Sequence, residues 1–545
     1  MKNWWKSGDP WIWLTAASVT ISIVTVAALL ILIAARGLGH FWPTPVMEAD
    51  YTDPNGQTIR LIGEIHDEEV VLRKTGVSVE GDWVTSYLIK TGNRDLLGLD
   101  FRWVRASGLQ NQHYPKDVMV VERREWGNFY GYLAAVKENG RIVSQGAAAW
   151  EELQKRLRRV LKIFDEIRSI EKHKIGEINY GVERLRLYQR RLELDNELDA
   201  VKQADIAQKK ADFEARFEAL SEKLGQLYRE ISRDSFSAKV MDGRVVDISL
   251  AKVVHIHRPN AMSLPDKLGF YVKKAWEFLS DDPREANTEG GIFPAIFGTV
   301  IMVIIMSIFV TPFGVIAAVY LHEYAKQGVL TRTIRIAVNN LAGVPSIVYG
   351  VFGLGFFVYF IGGGIDQLFF PEALPAPTFG TPGILWASLT LALLTLPVVI
   401  VSTEEGLSRI PKSIREGSLA LGATKAETLW RTVLPMASPA MMTGLILAIA
   451  RAAGEVAPLM LVGVVKLAPS LAVDAQAPFL HLERKFMHLG FHIYDVGFQS
   501  PNVEAARPLV YATAFLLVAV IVILNLAAIW IRNHLREKYK ALETV

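Results

Sequence analysis

The chain has 545 residues, of which 51% are hydrophobic and 21% are charged, and it contains no cysteine. Its mean hydropathy of +0.23 is too high for an ordinary soluble protein of this size, so the charges must be segregated from the apolar runs. A net charge of +3, with no basic cluster interleaved with aromatic residues, argues against a nucleic-acid partner. The absence of cysteine excludes disulfides and thiolate metal sites.

Six apolar runs are long enough to cross the hydrocarbon core, which takes about 20 helical residues. They cover residues 11–35, 292–320, 336–361, 383–401, 439–465 and 509–531. The first run is longer than a signal-peptide core and is flanked by tryptophans typical of a membrane interface, so we interpret it as a retained anchor. The sequence therefore predicts a polytopic α-helical membrane protein.

Lysine and arginine in the short segments between the spans predict the orientation. They cluster before span one, between spans two and three, between spans four and five, and after span six, whereas residues 362–381 contain none. The longer loop between spans five and six carries a few, more sparsely. We therefore expect a multi-pass protein of the bacterial inner membrane, with cytoplasmic N- and C-termini and with residues 47–289 in the periplasm.

Residues 47–289 are soluble in character, and their first part has the composition of a β-rich domain. Segments such as Thr58–Ile62 and Val118–Glu122 have strand composition, and turns are predicted at Asp53–Gly56 and Glu138–Gly140. This pattern predicts an inserted α+β domain, because a long helical region follows.

The helical region covers residues 148–232. Apolar residues step by three and four near both of its ends, at Leu153, Leu157, Val160, Phe164 and Ile167 and at Phe213, Phe217, Leu220, Leu224, Leu227 and Ile231. This spacing predicts coiled-coil seams and a long projecting surface, with a reversal between two antiparallel arms at Gly176 and Gly181. Such a region is more often a spacer or a partner surface than a catalytic element.

A second strand region is predicted over residues 237–257, with a hairpin turn at Asp242–Gly243. It ends in His255 and His257, which strand alternation places on one face. No adjacent acidic residue or third histidine completes a ligand set, so we expect ordinary surface histidines, and neither a metal nor another cofactor.

The fifth apolar run contains two charges, Arg451 and Glu455. A charge at mid-membrane depth costs about 2.5–3.5 kcal/mol, and the spacing of four residues lets the two side chains neutralise each other on one helical face. Two interpretations stay open. The pair either serves a transport path or forms an internal salt bridge that fixes helix packing.

Residues 402–435, between spans four and five, contain Glu416, Gly422, Leu434 and Pro435. The pattern predicts a helix that ends in a sharp turn at Gly422, followed by a second helix that leads to Pro435 at the membrane entry. A generic helical hairpin between two spans has the same features.

This segment resembles the EAA loop of ABC importer permeases, which docks into a groove of the ATPase, although Gly417 and Ser418 replace the two alanines. Longer motifs are similar to the A-type permease of phosphate-specific ABC transporters. They are GGIFPAI (290–296), YLHEYA (320–325), NLAGVPSIVYG (340–350) and AIARAAGEVAPL (448–459). The similarity covers spans two to six, about half of the chain, whereas compact relatives join the first two spans by a short loop.

The resemblance implies a type I ABC importer permease core over residues 290–545, preceded by an N-terminal segment and first span over residues 1–46 and the extracytoplasmic insertion. We expect Arg451 and Glu455 to lie on the substrate path, and the polar residues Asn340 and Ser346 of span three to line the same path. Polar residues of this kind are more often helix-packing hydrogen bonders, and that alternative stays open. The resemblance also implies that the residues of ATPase coupling are Glu416, Gly422, Leu434 and Pro435. The implied partners are a paralogous second permease subunit, an ATP-binding subunit dimer and a periplasmic phosphate-binding protein, all at the lipid bilayer.

The chain contains no Gly-x-x-x-x-Gly-Lys-Ser/Thr sequence, so we expect a transporter subunit that relies on a separate ATPase and is not itself an enzyme. Two alternatives are a permease for another oxyanion, such as molybdate, sulfate or phosphonate, and a membrane sensor with a coiled extracytoplasmic domain. The motif at residues 448–459 discriminates against the first. The lack of a cytoplasmic output domain argues against the second.

Overall fold

The computed structural model describes residues 7–53, 56–72, 83–500 and 503–543. Its strands are β1 (Val46–Thr52), β2 (Thr58–Leu72), β3 (Trp83–Lys90), β4 (Phe101–Arg105), β5 (Leu109–His113), β6 (Val118–Arg123), β7 (Phe129–Glu138), β8 (Arg141–Gln145), β9 (Asp234–Lys239), β10 (Val245–Ser249), β11 (Val253–His257), β12 (Pro283–Arg284) and β13 (Glu289–Gly290). Its helices are α1 (Asp9–Gly39), α2 (Arg94–Leu97), α3 (Ala149–Ser169), α4 (Gly176–Leu194), α5 (Ala200–Ile231), α6 (Leu264–Ser280), α7 (Phe293–Val319), α8 (Val329–Leu341), α9 (Ser346–Phe352), α10 (Gly363–Phe369), α11 (Ile384–Ser408), α12 (Lys412–Ala420), α13 (Lys425–Thr428), α14 (Leu434–Gly454), α15 (Leu459–Val462), α16 (Leu489–Tyr494) and α17 (Val503–Glu543).

Six helical segments of the described chain are long and apolar enough to cross a membrane, which confirms the predicted number of spans. They are Asp9–Gly39, Phe293–Tyr324, Ser346–Phe369, Ile384–Ser408, Lys425–Gly454 and Ala506–Glu537. Two predicted boundaries are wrong. Span three begins at Ser346, because Pro345 disfavours helix in the residue before it and leaves α8 as a separate helix. Span five ends at Gly454, where the backbone becomes extended at Glu455.

Span four, formed by α11, is the most buried of these segments and packs between α7 and α14. Its hydroxyl side chains at Ser388, Thr390, Thr395 and Thr403 are fully buried. Each donates to the backbone carbonyl four residues earlier, at 2.7–2.8 Å. Because their polar groups are satisfied within the helix, these residues serve the packing of the span.

The α+β region contains two antiparallel sheets, with strand orders β4-β3-β2-β1-β5 and β10-β9-β7-β6-β11, and β8 pairs with β7. The predicted strands at Thr58–Ile62 and Val118–Glu122 lie in β2 and β6. The hairpin turns at Asn139–Gly140 and Asp242–Gly243 are confirmed. The predicted turn at Asp53–Gly56 includes residues 54 and 55, which lie outside the described residues.

The apolar faces of α3 and α5 pack mainly on the second sheet. Leu153, Leu157 and Val160 of α3 and Leu224 and Leu227 of α5 share one buried cluster with side chains of the second sheet's strands. The predicted seam spacing therefore reflects, in this part, helices that cover a sheet. A spacing of three and four residues gives a helix one apolar face, and that face can pack on a sheet as well as on another helix.

The predicted reversal at Gly176 and Gly181 is wrong. Both glycines lie within α4, and the chain turns between α4 and α5, at Asp195–Asp199. Gly181 instead permits close contact between the two arms, because a Cβ at this position would lie 2.4 Å from the ring of Phe213 on α5.

The arms do not project away from the membrane helices, which corrects the expected projecting surface. Arg191 on α4 forms an ion pair of 2.5 Å with Glu372, which lies in the loop before span four. Tyr180 donates a hydrogen bond to the carbonyl of Ala477, and its ring lies 6.2 Å from that of His481. Side chains of α4 thus contact the loops before span four and before span six.

Candidate functional site

Two helix interruptions meet at the start of span three and at the end of span five. One interruption covers residues 342–345, between α8 and α9, and the other covers residues 455–458, between α14 and α15. The two segments approach closely, since a Cβ on Gly350 would lie 2.7 Å from the Cα of Pro458. Non-helical backbone at membrane depth is tolerated only where it is buried in protein or lines a water-filled cavity. The interruptions therefore mark a candidate site.

Tyr349 connects the two interruptions. Its hydroxyl donates a hydrogen bond of 2.7 Å to the carbonyl of Leu341, one of the carbonyls left without a helical partner at the end of α8. Its ring is 4% exposed and packs in the cluster that contains Ala448 and Ala452 of α14. The sequence did not lead us to assign a role to Tyr349. A tyrosine within an apolar motif does signal a specific contact, because its buried hydroxyl needs a hydrogen-bond partner.

The predicted pair is present, but its geometry differs from the expectation. Arg451 Nε lies 3.6 Å from Glu455 Oε1, too far for a hydrogen bond. Because α14 ends at Gly454, Glu455 has an extended backbone and does not share a helical face with Arg451. Arg451 lies about 24 Å along the helix from Pro435. The pair is therefore at the end of the helix that forms span five, next to the interruption at residues 455–458.

The guanidinium of Arg451 is left with unused donors. Among the described residues, Glu455 is the one carboxylate within 4.0 Å of it, and the two side chains are 33% and 22% exposed. A guanidinium has five N–H donors in a planar fork that matches the oxygens of a phosphate or carboxylate. The arrangement can therefore bind an oxyanion without first breaking a hydrogen bond to the protein.

Asn340 and Ser346 flank the first interruption. Asn340 is exposed in the last turn of α8, and Ser346 is half-buried at the first residue of α9. Within the described residues, no ion pair or hydrogen bond joins either side chain to Arg451. The structure thus brings together the backbone segments that carry the four predicted path residues, but only Arg451 and Glu455 are in direct proximity.

The loop of residues 402–435 has the predicted helix–turn–helix shape. Helices α12 and α13 are joined at Gly422, whose φ of +89° is the left-handed conformation that favours glycine. Thr424 caps α13 and forms a capping box with Glu427. Leu434 and Pro435 are the first residues of α14.

Several apolar side chains of this loop are exposed. Leu421 is 91% exposed, Trp430 is 73% exposed and Leu419 is 47% exposed. Glu416, on α12, is exposed as well. Exposed apolar side chains grouped on a polar loop are typical of a protein interaction site.

The loop is also fixed to the end of span two. Arg415 contacts Glu323 at 3.1 Å and donates to the carbonyl of Leu407 at 2.7 Å. The ammonium of Lys425 donates to the carbonyl of Glu323 and lies 4.5 Å from the ring of Tyr324. Our sequence analysis quoted residues 320–325 as a motif without assigning this role. The sequence did contain a signal for this contact, since Glu323 directly follows the second apolar run and the loop between spans four and five is basic.

Both histidines of β11 are packed within the α+β region and His255 is paired with a carboxylate, so the prediction of ordinary surface histidines is wrong. His255 Nε2 lies 2.8 Å from Glu277 Oε2 on α6. Burial lowers the pKa of His257 to about 3, and the centroid of its ring lies 4.5 Å from that of Phe270, with the two planes tilted by 38°. No group of three or more His, Cys, Asp or Glu side chains that could hold a metal is found among the described residues.

A cavity of about 930 Å³ lies where the α+β region meets the ends of α1 and α17. Its lining includes Lys90, Glu122, Lys274 and Glu289. Glu122 accepts hydrogen bonds from Lys274 and from Arg284, the latter at 2.6 Å. Burial raises the pKa of Glu289 to about 7. The junction between the two regions is thus polar and contains a carboxyl that titrates near neutrality.

The sequence matches the family described as "Binding-protein-dependent transport system inner membrane component" over residues 310–540. This match and the six spans define the class, a membrane-spanning permease of the ABC transporter type. The chain is also similar to the probable ABC transporter permease protein YqgI of Bacillus subtilis, with 30% identity over 272 residues, which are 49% of this chain and 86% of that protein.

It is similar to the phosphate transport system permease protein PstA 1 of Mycobacterium tuberculosis, with 35% identity over 245 residues, which are 45% of this chain and 71% of that protein. A structure of the MetNI methionine ABC transporter aligns with a TM-score of 0.31 at 19% identity and covers 50% of this chain and 99% of that chain. The assignment rests on the sequence relatives: the chain belongs to the inner membrane permeases of binding-protein-dependent ABC transporters, among those of the PstA type.

Proposed function

We propose that this chain is one permease half of an ATP-driven phosphate importer in the bacterial inner membrane. The observation that carries the proposal is the accessible guanidinium of Arg451 where the two helix interruptions meet. Relatives named as phosphate transport permeases favour phosphate over other oxyanions as the substrate.

Phosphate carries one to two negative charges near neutral pH, and paired N–H donors of a guanidinium bind such an oxyanion in a bidentate manner. In the empty path, Glu455 at 3.6 Å balances the charge of Arg451 without occupying its donors. A carboxylate can also accept a hydrogen bond from a protonated phosphate oxygen, which fully ionised sulfate does not offer. Asn340 and Ser346 line the adjacent interruption and offer further polar groups.

An ABC importer permease works with an ATP-binding subunit and a substrate-binding protein, and we assign these partners to this chain. We propose that the loop of residues 402–435 is the ATPase contact. Leu421 and Trp430 provide its exposed apolar side chains, and Gly422 sets the angle between its two helices. Arg415 and Lys425 would transmit movement of the loop to the end of span two through Glu323. The other half of the path is a paralogous permease subunit.

We further propose that residues 47–289 are an extracytoplasmic module and that both chain termini are cytoplasmic. The charge distribution of the interspan segments supports this orientation. Because α4 contacts Glu372 and Ala477, the module lies over the loops before spans four and six. In this position the module can regulate the docking of the substrate-binding protein on the permease. The path itself needs only residues 290–545.

The test is uptake of radiolabelled phosphate by vesicles that contain the complete transporter, with this chain, its permease partner, the ATPase and the binding protein. We expect uptake that requires ATP and is not competed by sulfate. An ATPase variant that binds but does not hydrolyse ATP is the control. Uptake that persists with this variant, or a preference for sulfate, would contradict the proposal.

A further inference from the structure

Helix α6 carries a ridge of exposed apolar side chains along its whole length. Leu264, Leu268, Val272 and Trp276 are 70%, 55%, 65% and 68% exposed. Steps of four residues place them within an arc of about 120° around the helix axis. Leu279, which is 37% exposed, lies within the same arc, and no charged residue of α6 does.

The opposite side of α6 is occupied by the α+β region. Lys274 donates to Glu122 on β6. Glu277 pairs with His255 on β11, and the ring of Phe270 contacts that of His257 on the same strand. These contacts fix the rotation of the helix about its axis. The apolar ridge therefore faces away from the α+β region.

Backbone and ring contacts also fix the level of α6 relative to the membrane spans. The amide of Ile292, next to the start of span two, donates to the carbonyl of Phe278 at 2.9 Å. Phe41 and Trp42, just after span one, lie 5.1 Å from Phe278 and 6.1 Å from Tyr271 between ring centroids. The helix is thus held at the ends of two membrane spans.

We infer that α6 lies in the interface of the lipid bilayer, with the ridge from Leu264 to Leu279 in the acyl-chain boundary. An interfacial helix combines a continuous apolar arc with a basic polar face, and α6 has both, since Lys267 and Lys273 lie outside the arc. The bilayer is the occupant that the contacts favour, because both spans that hold α6 are surrounded by it. The inference rests on the spans and does not depend on phosphate, on ATP or on which side of the membrane the region occupies.

The natural absence of cysteine allows single spin labels without background mutations. The variants Leu268→Cys and Val272→Cys carry the label on the ridge. The matched control is Lys209→Cys on α5, whose side chain is 57% exposed and pairs with Asp205 on the same helix. Collision of each label with oxygen, which concentrates in lipid, and with a water-soluble nickel chelate is measured by power-saturation electron paramagnetic resonance. The sample is the complete transporter in lipid vesicles.

We expect oxygen to dominate collisions at positions 268 and 272 and the nickel chelate to dominate at position 209. The ratio of the oxygen collision rate to the nickel-chelate collision rate should be about tenfold higher at positions 268 and 272 than at position 209, as expected for probes in acyl chains and in water. Nickel-dominated collisions at both ridge positions would overturn the inference in favour of a water-exposed face. Low collision rates with both reagents would overturn it in favour of a protein partner on the ridge. Neither outcome bears on phosphate uptake, so failure here is distinct from failure of the proposed function.

Discussion

Arg123 and Arg451, one arginine from each region of the molecule, are held in opposite ways. In the α+β region, Arg123 is 6% exposed and binds both oxygens of Asp95, at 2.9 and 3.0 Å. It also donates to the carbonyls of Gly127 and Trp126, each at 3.0 Å. In the membrane region, Arg451 has one carboxylate at 3.6 Å and is one-third exposed.

The difference separates a structural arginine from one that is available to a ligand. A buried guanidinium that is fully hydrogen-bonded cannot be exchanged for a ligand without losing several bonds at once, and breaking such a pair costs about 3–5 kcal/mol. A guanidinium with unused donors loses little by accepting an oxyanion. The two side chains carry the same charge, and they differ in burial and in the number of donors that are hydrogen-bonded.

The largest expected effect comes from removing each of these two guanidinium groups. Arg451→Gln should lower phosphate uptake by about 100-fold or more, because a ligand's charged partner is lost, and it should leave the amount of folded protein unchanged. Arg123→Gln should instead lower the amount of folded protein, because it leaves Asp95 and two carbonyls without their donor. Uptake and detergent-solubilised yield are measured on the same membranes. If Arg451→Gln reduces the yield of folded protein while uptake per molecule stays normal, Arg451 has a structural role and does not bind the substrate.

Next in size is the effect of the turn in the loop of residues 402–435. Gly422→Val places a β-branched residue at a φ of +89°, where even a simple side chain costs about 1–2 kcal/mol. We expect about tenfold lower uptake with normal membrane insertion, since the strain falls on the loop and not on a span. Gly417→Val is the matched control, because Gly417 is helical and its Cβ would meet open space. Equal uptake by the two variants would remove the docking role from this turn.

The contact between the arms and the interspan loops should have a smaller effect. Arg191→Ala removes the ion pair with Glu372. Because the Arg191 side chain is 53% exposed, water can take its place beside the buried carboxylate of Glu372, which limits the loss to about 1 kcal/mol. Amide hydrogen exchange in α4 should therefore speed up by at most about fivefold, while uptake stays within about twofold. Arg190→Ala, next to it but paired only with Glu193 on the same helix, is the control. Complete loss of uptake in assembled Arg191→Ala transporter would make the arms part of the transport mechanism.

The smallest effect concerns the pH dependence of the junction. Burial raises the pKa of Glu289 from an ordinary value of 4.5 to about 7. Between these two values the folded protein keeps a proton that the unfolded chain releases, so the carboxyl lowers stability progressively as pH rises from 4.5 to 7. Glu289→Gln should therefore raise the unfolding temperature by about 2 °C at pH 8 and not at pH 5. The control Glu218→Gln, on the exposed face of α5, should leave the unfolding temperature unchanged at both pH values. An equal rise of the unfolding temperature at pH 5 and pH 8 in Glu289→Gln would contradict the raised pKa.

Local patterns were sufficient to predict the number of spans, several strands and the turn at Gly422. They failed where the chain conformation depends on residues far apart in sequence. His255 finds its acidic partner in Glu277, and Arg191 finds Glu372 in a loop beyond two spans. The end of span five at Gly454 also escaped prediction, because the residues that follow are as apolar as those of a membrane helix. The interruption is evident only from the packing of Pro458 against Gly350.

The most direct test of the central claim exchanges the two charges at the path, in the double variant Arg451→Glu/Glu455→Arg. The exchange keeps an ion pair at the end of span five but moves the guanidinium from the helix to the extended backbone. If Arg451 contacts phosphate, the double variant should insert and assemble with its ATPase but should not support ATP-dependent phosphate uptake. Uptake at the level of the unmodified protein would show that the pair serves packing alone and would contradict the account.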